Sequence, residues 1–538
     1  MTGRARSFGV ALLFVALTVA MTWPQARHMG TQVYDADDPL LSIWRVSWIA
    51  HILPVNPTQI FNGNIFYPEP RTLAYTDSVL LQGLAGAPLI WAGVSNVVVY
   101  NLLLLGSMAL SGWAMWRYAL HLTGNGGGAI IAGVIFAFVP YRFDHYHHLE
   151  LQATFFLPLT LLYLDRALES GSKRDAWLTM ICLAGQVYTC IYYSVFLVTA
   201  AVPVALYRLI RSTADTRKRF FLAIAPAAFA AAVIVAPYAL AYVLNRETLG
   251  ERLDRDVRLY SATFENYFAT SEFNTLYGWT RQFGQPERLL FPGAIALILA
   301  GIGLSRFDRQ RITLAIVGVT GFIISLGLNS IFYEPLRAVV LAYRGLRAPA
   351  RASILFFLAI SALAAFGFAR LMRGRSPKTM VVATVLVSAA LLGEYRTAMV
   401  SWLLIPNPPA AVYQWLKIQP RSVVIEVPFA RAERLHAIAD GLYMFNSTRH
   451  WQPIVNGYSG FFPKSFYQLS AYMAAFPDEN SIGYLKRRGV DLIIVHGALL
   501  GPDEFGATTA ALLARPDIEA VAQFEEPMGL DAVFRLRR

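Results

Sequence analysis

The sequence predicts a mainly α protein: a polytopic membrane bundle of about 11 transmembrane helices, with a small α/β domain after it on the extracytoplasmic side. Three observations carry this expectation. Of 538 residues, 56% are hydrophobic and 15% charged, and the mean hydropathy is +0.45, the composition of an integral membrane chain. Apolar runs of membrane length recur from Ser7 to Leu392 and then stop. The loops that alternate to one side hold 18 basic and 5 acidic residues, net +13, while the rest of the chain holds 28 and 29, net −1. The formal charge of +12 is therefore an orientation signal, positive inside, and not a nucleic-acid footprint.

The elements follow in order. Met1–Arg6 is short and basic, and Ser7–Trp23 is apolar. A signal peptide is the alternative, but the run leads into no clear small-residue cleavage site, so it reads as a first span with its N-terminus in the cytoplasm. Pro24 to about Asp77 then lies outside and is rich in Pro, Asn and Gly; within it Leu40–Leu53 reads as an amphipathic helix on the bilayer surface. Val79–Val94 is apolar but short and carries Gly83, Gly86 and Pro88. If it crossed, every later basic loop would fall outside, so it is expected to lie in the interface or re-enter. Spans are expected over 97–120, 128–140, 151–164, 177–188, 191–209, 220–244, 289–304, 312–328, 353–369 and 380–392. Asn245–Arg288 is a second long outside loop. An odd number of spans leaves the remainder outside.

The expected domains are 1–400, a transmembrane domain with extracytoplasmic loops 24–96 and 245–288, and 401–538, an extracytoplasmic α/β domain after the linker Pro406-Asn407-Pro408-Pro409. In the second, Ser422–Val427, Asp491–Val495, Ala520–Phe524 and Ala532–Leu536 read as strands and Tyr467–Phe476 as a helix. Cys182 and Cys190 lie in apolar runs and say nothing of redox compartment.

The densest chemistry is Tyr34-Asp35-Ala36-Asp37-Asp38-Pro39, just past the first span. Close carboxylates raise one another's pKa or share a cation, so the cluster costs free energy unless something uses it; a solvated acidic loop is the plainer reading. The outside turn Asp144-His145-Tyr146-His147-His148-Leu149-Glu150 offers His145-x-His147 as a metal pair, but further ligands are not fixed by the sequence. Gly124-Asn125-Gly126-Gly127-Gly128 lacks the following Lys-Ser/Thr of a nucleotide loop and reads as a turn.

This layout resembles the GT-C superfamily of polytopic glycosyltransferases: one span, a long outside loop opening with Asp35-Ala36-Asp37, six further spans, a second long outside loop, and a C-terminal outside domain. Its members include protein O-mannosyltransferases, aminoarabinose transferases of lipid A and oligosaccharyltransferase catalytic subunits. The chain is more closely similar to uncharacterised bacterial membrane proteins of that type through Asp38-Pro39-Leu40-Leu41, Asn64-Ile65-Phe66-Tyr67-Pro68-Glu69-Pro70, Arg347-Ala348-Pro349-Ala350-Arg351 and Val455-Asn456-Gly457-Tyr458-Ser459-Gly460-Phe461-Phe462-Pro463. The resemblance implies sugar transfer from a polyprenyl-phosphate-linked donor to an extracytoplasmic glycan, lipid or protein, at a bacterial inner membrane. It places a catalytic acid in the Asp35, Asp37, Asp38 cluster, with Asp38 first. A clear second acid motif is missing.

Such a transfer needs a base for the acceptor and a counter-charge for the departing phosphate. Arg344, Arg347 and Arg351 lie at headgroup depth before the tenth span and are the expected phosphate ligands, with Arg281 a further one; snorkelling anchors are the alternative. His148 and Glu150 are expected at the acceptor, and Tyr192 and Tyr193 can stack on a sugar or belong to the interfacial belt. A divalent cation, magnesium or manganese, is an open cofactor reading. A flippase of lipid-linked glycans would bury ionisable residues at mid-membrane depth, whereas these spans are nearly free of charge; a non-catalytic assembly partner is the third class.

Overall fold

The computed structural model describes residues 3–406, 408–429, 433–527 and 529–537, which places Asn407 of the expected linker outside the described residues. The chain forms two compact units. One comprises Met1–His28, Asn101–Tyr238 and Glu251–Val400, the other Met29–Tyr100, Ala239–Gly250 and Ser401–Arg538.

Seven helical segments among the described residues are long and apolar enough to cross a membrane: Arg4–Met21, Asn96–Thr123, Gly126–Asp144, Ile191–Ile210, Ala214–Leu249, Pro349–Leu371 and Pro377–Glu394. They mark an integral membrane protein. The other expected spans form helices of 11 to 17 residues, Phe156–Ser170, Lys173–Thr189, Ala294–Leu304 and Arg309–Ser325. Leu80–Trp91 is a 12-residue helix, about 18 Å long, too short to cross a hydrocarbon core of about 30 Å.

The first unit is built around Ser353–Leu371, a helix buried along nearly its whole length. Hydrophobicity alone does not pack helices in lipid, so close approach through small residues does. A Cβ added to Gly367 would stand 1.9 Å from the Leu299 carbonyl, and one on Gly303 2.1 Å from that of Leu363; these glycines let the helices Ala294–Leu304 and Ser353–Leu371 touch backbone to backbone. Gly128 likewise approaches the Ala365 carbonyl, and Gly321 that of Ala352. At the other end, His121 and Arg208 bind Asp165, while Arg208 and Arg309 bind Glu169. His121, Asp165 and Glu169 lie close enough to suggest a metal, but two guanidiniums already supply the counter-charge.

The second unit is α/β. Strands β1 (Gln32–Tyr34) and β2 (Trp402–Leu404) pair antiparallel. A four-stranded sheet runs in the order β3 (Val424–Val427), β4 (Leu492–His496), β6 (Gly529–Leu536), β5 (Ile518–Glu526), with β3 and β4 parallel and the other pairs antiparallel. The helix over Leu40–Leu53 exists as Asp38–Val55, but it does not lie on a surface. It buries both faces, and Leu41, Trp44, Trp48, Ile49 and Ile52 join the same core as Val424, Ile425 and Ile493. Its apolar residues run all round the helix, which is the pattern of a buried helix and not of an interfacial one. Two of the stretches that carried the resemblance meet here. The Phe66 amide donates to the Asn456 carbonyl at 3.0 Å and the Ile454 amide to that of Asn64 at 2.8 Å, while Phe66 packs edge-on against Phe462.

Candidate functional site

In the second unit, the acidic cluster caps a helix. Tyr34 ends β1, and Asp35 turns the chain in the left-handed region at φ 76°, which an Asp tolerates through a local hydrogen bond. Its Oδ1 accepts from the Ala36 amide at 2.8 Å, and its own amide donates to the Ser401 carbonyl at 2.8 Å. Asp37 is the N-cap of Asp38–Val55 and accepts from the Asp38 amide at 2.6 Å. Asp38 is the first helical residue, with Pro39 next, where a missing N–H costs nothing. The helix N-terminus favours negative charge on it, and Tyr458 donates to its Oδ1 at 3.4 Å. All three carboxylates are part-exposed. Asp35 and Asp37 each spend an oxygen on a backbone amide, and the three carboxylates do not converge as a metal-holding group among the described residues.

In the first unit, a polar site is gathered at the head of the central buried helix. Its centre is Glu287, which the sequence reading did not single out. Arg351 grips it by two guanidinium nitrogens, Nε donating to Oε2 at 2.9 Å and Nη2 to Oε1. Arg351 also donates to His148 Nε2 at 3.4 Å, and its guanidinium stacks over Tyr192, 5.1 Å from the ring centre. His145 Nδ1 lies 3.8 Å and His148 Nε2 3.9 Å from the Glu287 carboxylate. Burial works to raise Glu287, but the Arg351 guanidinium overrides it and holds the carboxylate well below its ordinary range. Burial holds the His145 imidazole well below its ordinary value, so it is neutral at physiological pH. Glu287 itself sits at φ 69°, a conformation an L residue adopts only when its surroundings impose it.

The turn that presents the histidines is locked from below. After the helix Gly126–Phe138 the chain breaks at Val139-Pro140 into two short helical turns, Pro140–Asp144 and Leu149–Gln152. Arg142, fully buried, donates to Thr154 Oγ1 at 2.6 Å and to the Gln152 carbonyl at 3.0 Å. Gln152 returns two bonds through its amide, to the carbonyls of Arg142 at 2.9 Å and His145 at 2.8 Å. Tyr146 donates to Gln25, which donates to Asn101 at 2.6 Å. The interleaved bonds fix where His145 and His148 point.

Arg347 stands beside this group. Its amide donates to the Tyr192 hydroxyl at 2.8 Å, and its guanidinium lies over the Tyr260 ring at 4.9 Å with no ion pair to a carboxylate among the described residues. Burial, with Arg347 and Arg351 close by, pushes Arg252 down to about 10, so it too is a cation at neutral pH. Arg252, Arg347 and Arg351 thus lie close together; Arg351 engages Glu287, and Asp256 acts on Arg252. The remaining expected residues fall elsewhere in the unit. Arg344 binds Glu251 at 3.4 Å and the carbonyls of Arg337 and Ala338, and Arg281 binds Glu272 at 2.9 Å and the Gly284 carbonyl. Glu150 is buried within the Leu149–Gln152 turn. Tyr193 is fully enclosed, its hydroxyl 3.2 Å from that of Tyr141, so only Tyr192 of that pair offers a part-exposed ring beside the arginines. Of the histidine-rich turn, His145 and His148 reach Glu287; the His147 ring packs at a tilt against His148, centroids 4.1 Å apart.

The missed residues carry little local signal. Glu287 lies in Gln285-Pro286-Glu287-Arg288, which reads as an ordinary polar loop; its one cue is a lone acid immediately before an apolar run, where a charge needs a partner. Tyr260 has no cue at all.

The fold is GT-C-like, as its likeness to solved membrane glycosyltransferases shows. The arabinofuranosyltransferase AftD from Mycobacteria shares it with a TM-score of 0.65 at 17% identity, covering 100% of this chain and 40% of that one. The apo oligosaccharyltransferase of Archaeoglobus fulgidus aligns at 0.50 and 10% identity, covering 91% and 69%. This chain thus spans two-fifths of the length of the arabinofuranosyltransferase. Residues 57–392 match the family described as Domain of unknown function (DUF6311), and the chain belongs to it. No curated protein matches the sequence.

Proposed function

We propose that this chain transfers a glycosyl group from a polyprenyl-phosphate-linked donor to an acceptor at the extracytoplasmic face of a bacterial inner membrane. The observation that carries the reading is Arg347, whose guanidinium lies over the Tyr260 ring with no ion pair to a carboxylate among the described residues, close to Arg351 and Tyr192. A lipid phosphate would give Arg347 an anion, and guanidiniums hold phosphate oxygens without losing charge. The GT-C-like fold and the glycosyl-transfer names of both structural neighbours support it.

In this reading Arg347, whose guanidinium rests only on an aromatic face, takes the donor phosphate, and Arg351 is held ready by Glu287. The acceptor oxygen forms a bond to the anomeric carbon, the bond from that carbon to the phosphate oxygen breaks, and polyprenyl phosphate leaves with the electron pair. Asp38 accepts the acceptor proton, a role that comes from the resemblance. Asp35 and Asp37 are proposed beside Asp38 as acids of the same cluster. His148, Glu150 and Tyr192 are proposed on the acceptor side.

The test is binding of undecaprenyl phosphate to the purified full chain in detergent, read by native mass spectrometry. Arg347→Ala should weaken it roughly ten- to a hundredfold, the equivalent of about 1.5–3 kcal/mol for one charge-assisted bond, with partial recovery in Arg347→Lys. Unchanged affinity in the Ala variant would reduce Arg347 to an anchor and remove the support for a phosphate donor.

A further inference from the structure

We propose that residues 264–283 form an interfacial membrane-inserting module, sunk into the lipid leaflet at the end of the helix Pro377–Glu394. The proposal is independent of the donor assignment. Two short 3-10 turns, Phe264–Phe268 and Gly278–Phe283, build the module. Its polarity is inverted relative to a water-facing loop. Its interior holds Asn266, Thr270, Asn274 and Thr280, each no more than 5% exposed. Its surface carries Phe264, Phe268, Leu276 and Trp279, exposed by 66, 48, 56 and 67%, with Phe273 and Phe283 beside them.

The interior polar groups are satisfied within the protein. Asn266 accepts from the Thr263 amide at 2.8 Å and donates to the Phe283 carbonyl at 2.9 Å, joining the two turns. The Thr270 hydroxyl donates to the Tyr277 carbonyl at 2.8 Å, and its amide donates to Thr280 Oγ1 at 3.0 Å. Asn274 accepts from the amides of Leu276 and Tyr277. The rings meet only in edge-on pairs, Phe264 with Phe268 and Trp279 with Phe283, and stay largely exposed, which is costly in water. Next to lipid it is the arrangement that leaves no polar group unsatisfied.

The depth follows from how the module is tied down. Asn274 donates to the Glu394 carbonyl at 3.1 Å, the Thr275 amide donates to the Arg396 carbonyl at 2.9 Å, and the Ala398 amide donates to the Phe273 carbonyl at 2.9 Å. Those three partners are the last turn of a membrane-length helix and the residues just after it. Glu394 is further fixed by the Tyr277 hydroxyl at 3.0 Å and by the Ala294 amide at the start of the next helix. The module is thus held where a span leaves the hydrocarbon core, the depth at which Trp and Phe partition favourably. The exposed acids and amides of the segment, Glu265, Glu272, Gln282 and Gln285, would form its wet rim.

The experiment uses the full chain in phospholipid nanodiscs, with single cysteines carrying nitroxide labels at Phe268, Leu276, Trp279, Glu265 and Gln285; the native Cys182 and Cys190 are buried and label poorly. Oxygen should relax the labels at Phe268, Leu276 and Trp279 more than a water-soluble nickel chelate does, with the reverse at Glu265 and Gln285. Nickel dominating at all five positions would place the module in water and overturn the proposal. Dipolar broadening between labels would show a second copy of the chain covering the face, and would overturn it equally. Should the cysteine variants fail to fold, brominated phosphatidylcholine gives a second reading. Quenching of the native tryptophan fluorescence should fall in Trp279→Phe, and quenching that is unchanged in that variant would contradict insertion.

Discussion

The Glu287–Arg351 pair illustrates how a site residue can be invisible in sequence and obvious in space. Arg351 was legible: a cation before an apolar run, in a stretch with Pro349, reads as a phosphate ligand or an anchor. Its partner lies 64 positions away and has no motif, because only tertiary structure brings an isolated glutamate to a guanidinium. The pair is also testable through stability. The folded pKa of Glu287 lies well below its ordinary value near 4.5, so its contribution is present above that pH and is lost as pH falls. Thermal unfolding in detergent should show a loss of stability between neutral and acid pH that is smaller in Glu287→Gln. That variant should itself be destabilised at pH 7 by about 3–5 kcal/mol, the cost of leaving Arg351 buried without its counter-ion. An identical acid slope in both proteins would mean the carboxylate is not held ionised by Arg351. Asp38 is different in kind. It was legible as part of a local cluster, in which Asp37 caps the helix and Asp35 bonds the Ala36 amide, so local geometry accounts for those two acids and leaves Asp38 to be tested.

Helices and turns were read with uneven success, for physical reasons. Apolar run length located seven helices long enough to cross a membrane among the described residues, whereas reading Leu40–Leu53 as amphipathic gave the wrong environment for the helix Asp38–Val55, which is apolar and buried all round. The close contacts at Gly303 and Gly367 could not be inferred from glycines scattered through apolar runs; only pairing reveals which ones matter. Gly367→Ala should force the helices Ala294–Leu304 and Ser353–Leu371 apart, at about 1–3 kcal/mol, the usual cost of overpacking. An unchanged melting temperature would show that the contact is not tight. In the α/β unit, the last residue of β4, His496, lies between Glu426 and Asp531, at 2.9 Å from each. Burial works to lower its pKa, but the two carboxylates raise it to about 9. A raised folded value means the stability is fully present below the ordinary 6.5 and is lost as pH climbs through about 9. Hydrogen exchange across β3, β4 and β6 should therefore accelerate between pH 7 and pH 10 beyond its intrinsic base dependence. His496→Gln should remove that excess.

For the molecule as a whole, charge parity predicted which loops share a side, and this is testable directly. Cysteines at Arg174 and Arg217 should label from one side of sealed vesicles, and cysteines at Glu265 and Gln285 from the other. Labelling of all four from one side would contradict the expected orientation. The GT-C-like fold was legible because span order and loop lengths survive where sequence motifs do not. What the sequence left open is the activity, and the most direct measurement of it is sugar transfer from a polyprenyl-phosphate-linked donor by the full chain in liposomes. The prediction is that the wild-type chain transfers, that Asp38→Asn is slower by about 10²–10⁴ as expected for loss of a general base, and that Arg347→Ala loses activity at low donor concentration, with all three proteins melting alike. Transfer at the wild-type rate by Asp38→Asn, and by Asp35→Asn and Asp37→Asn as well, would contradict the proposed mechanism.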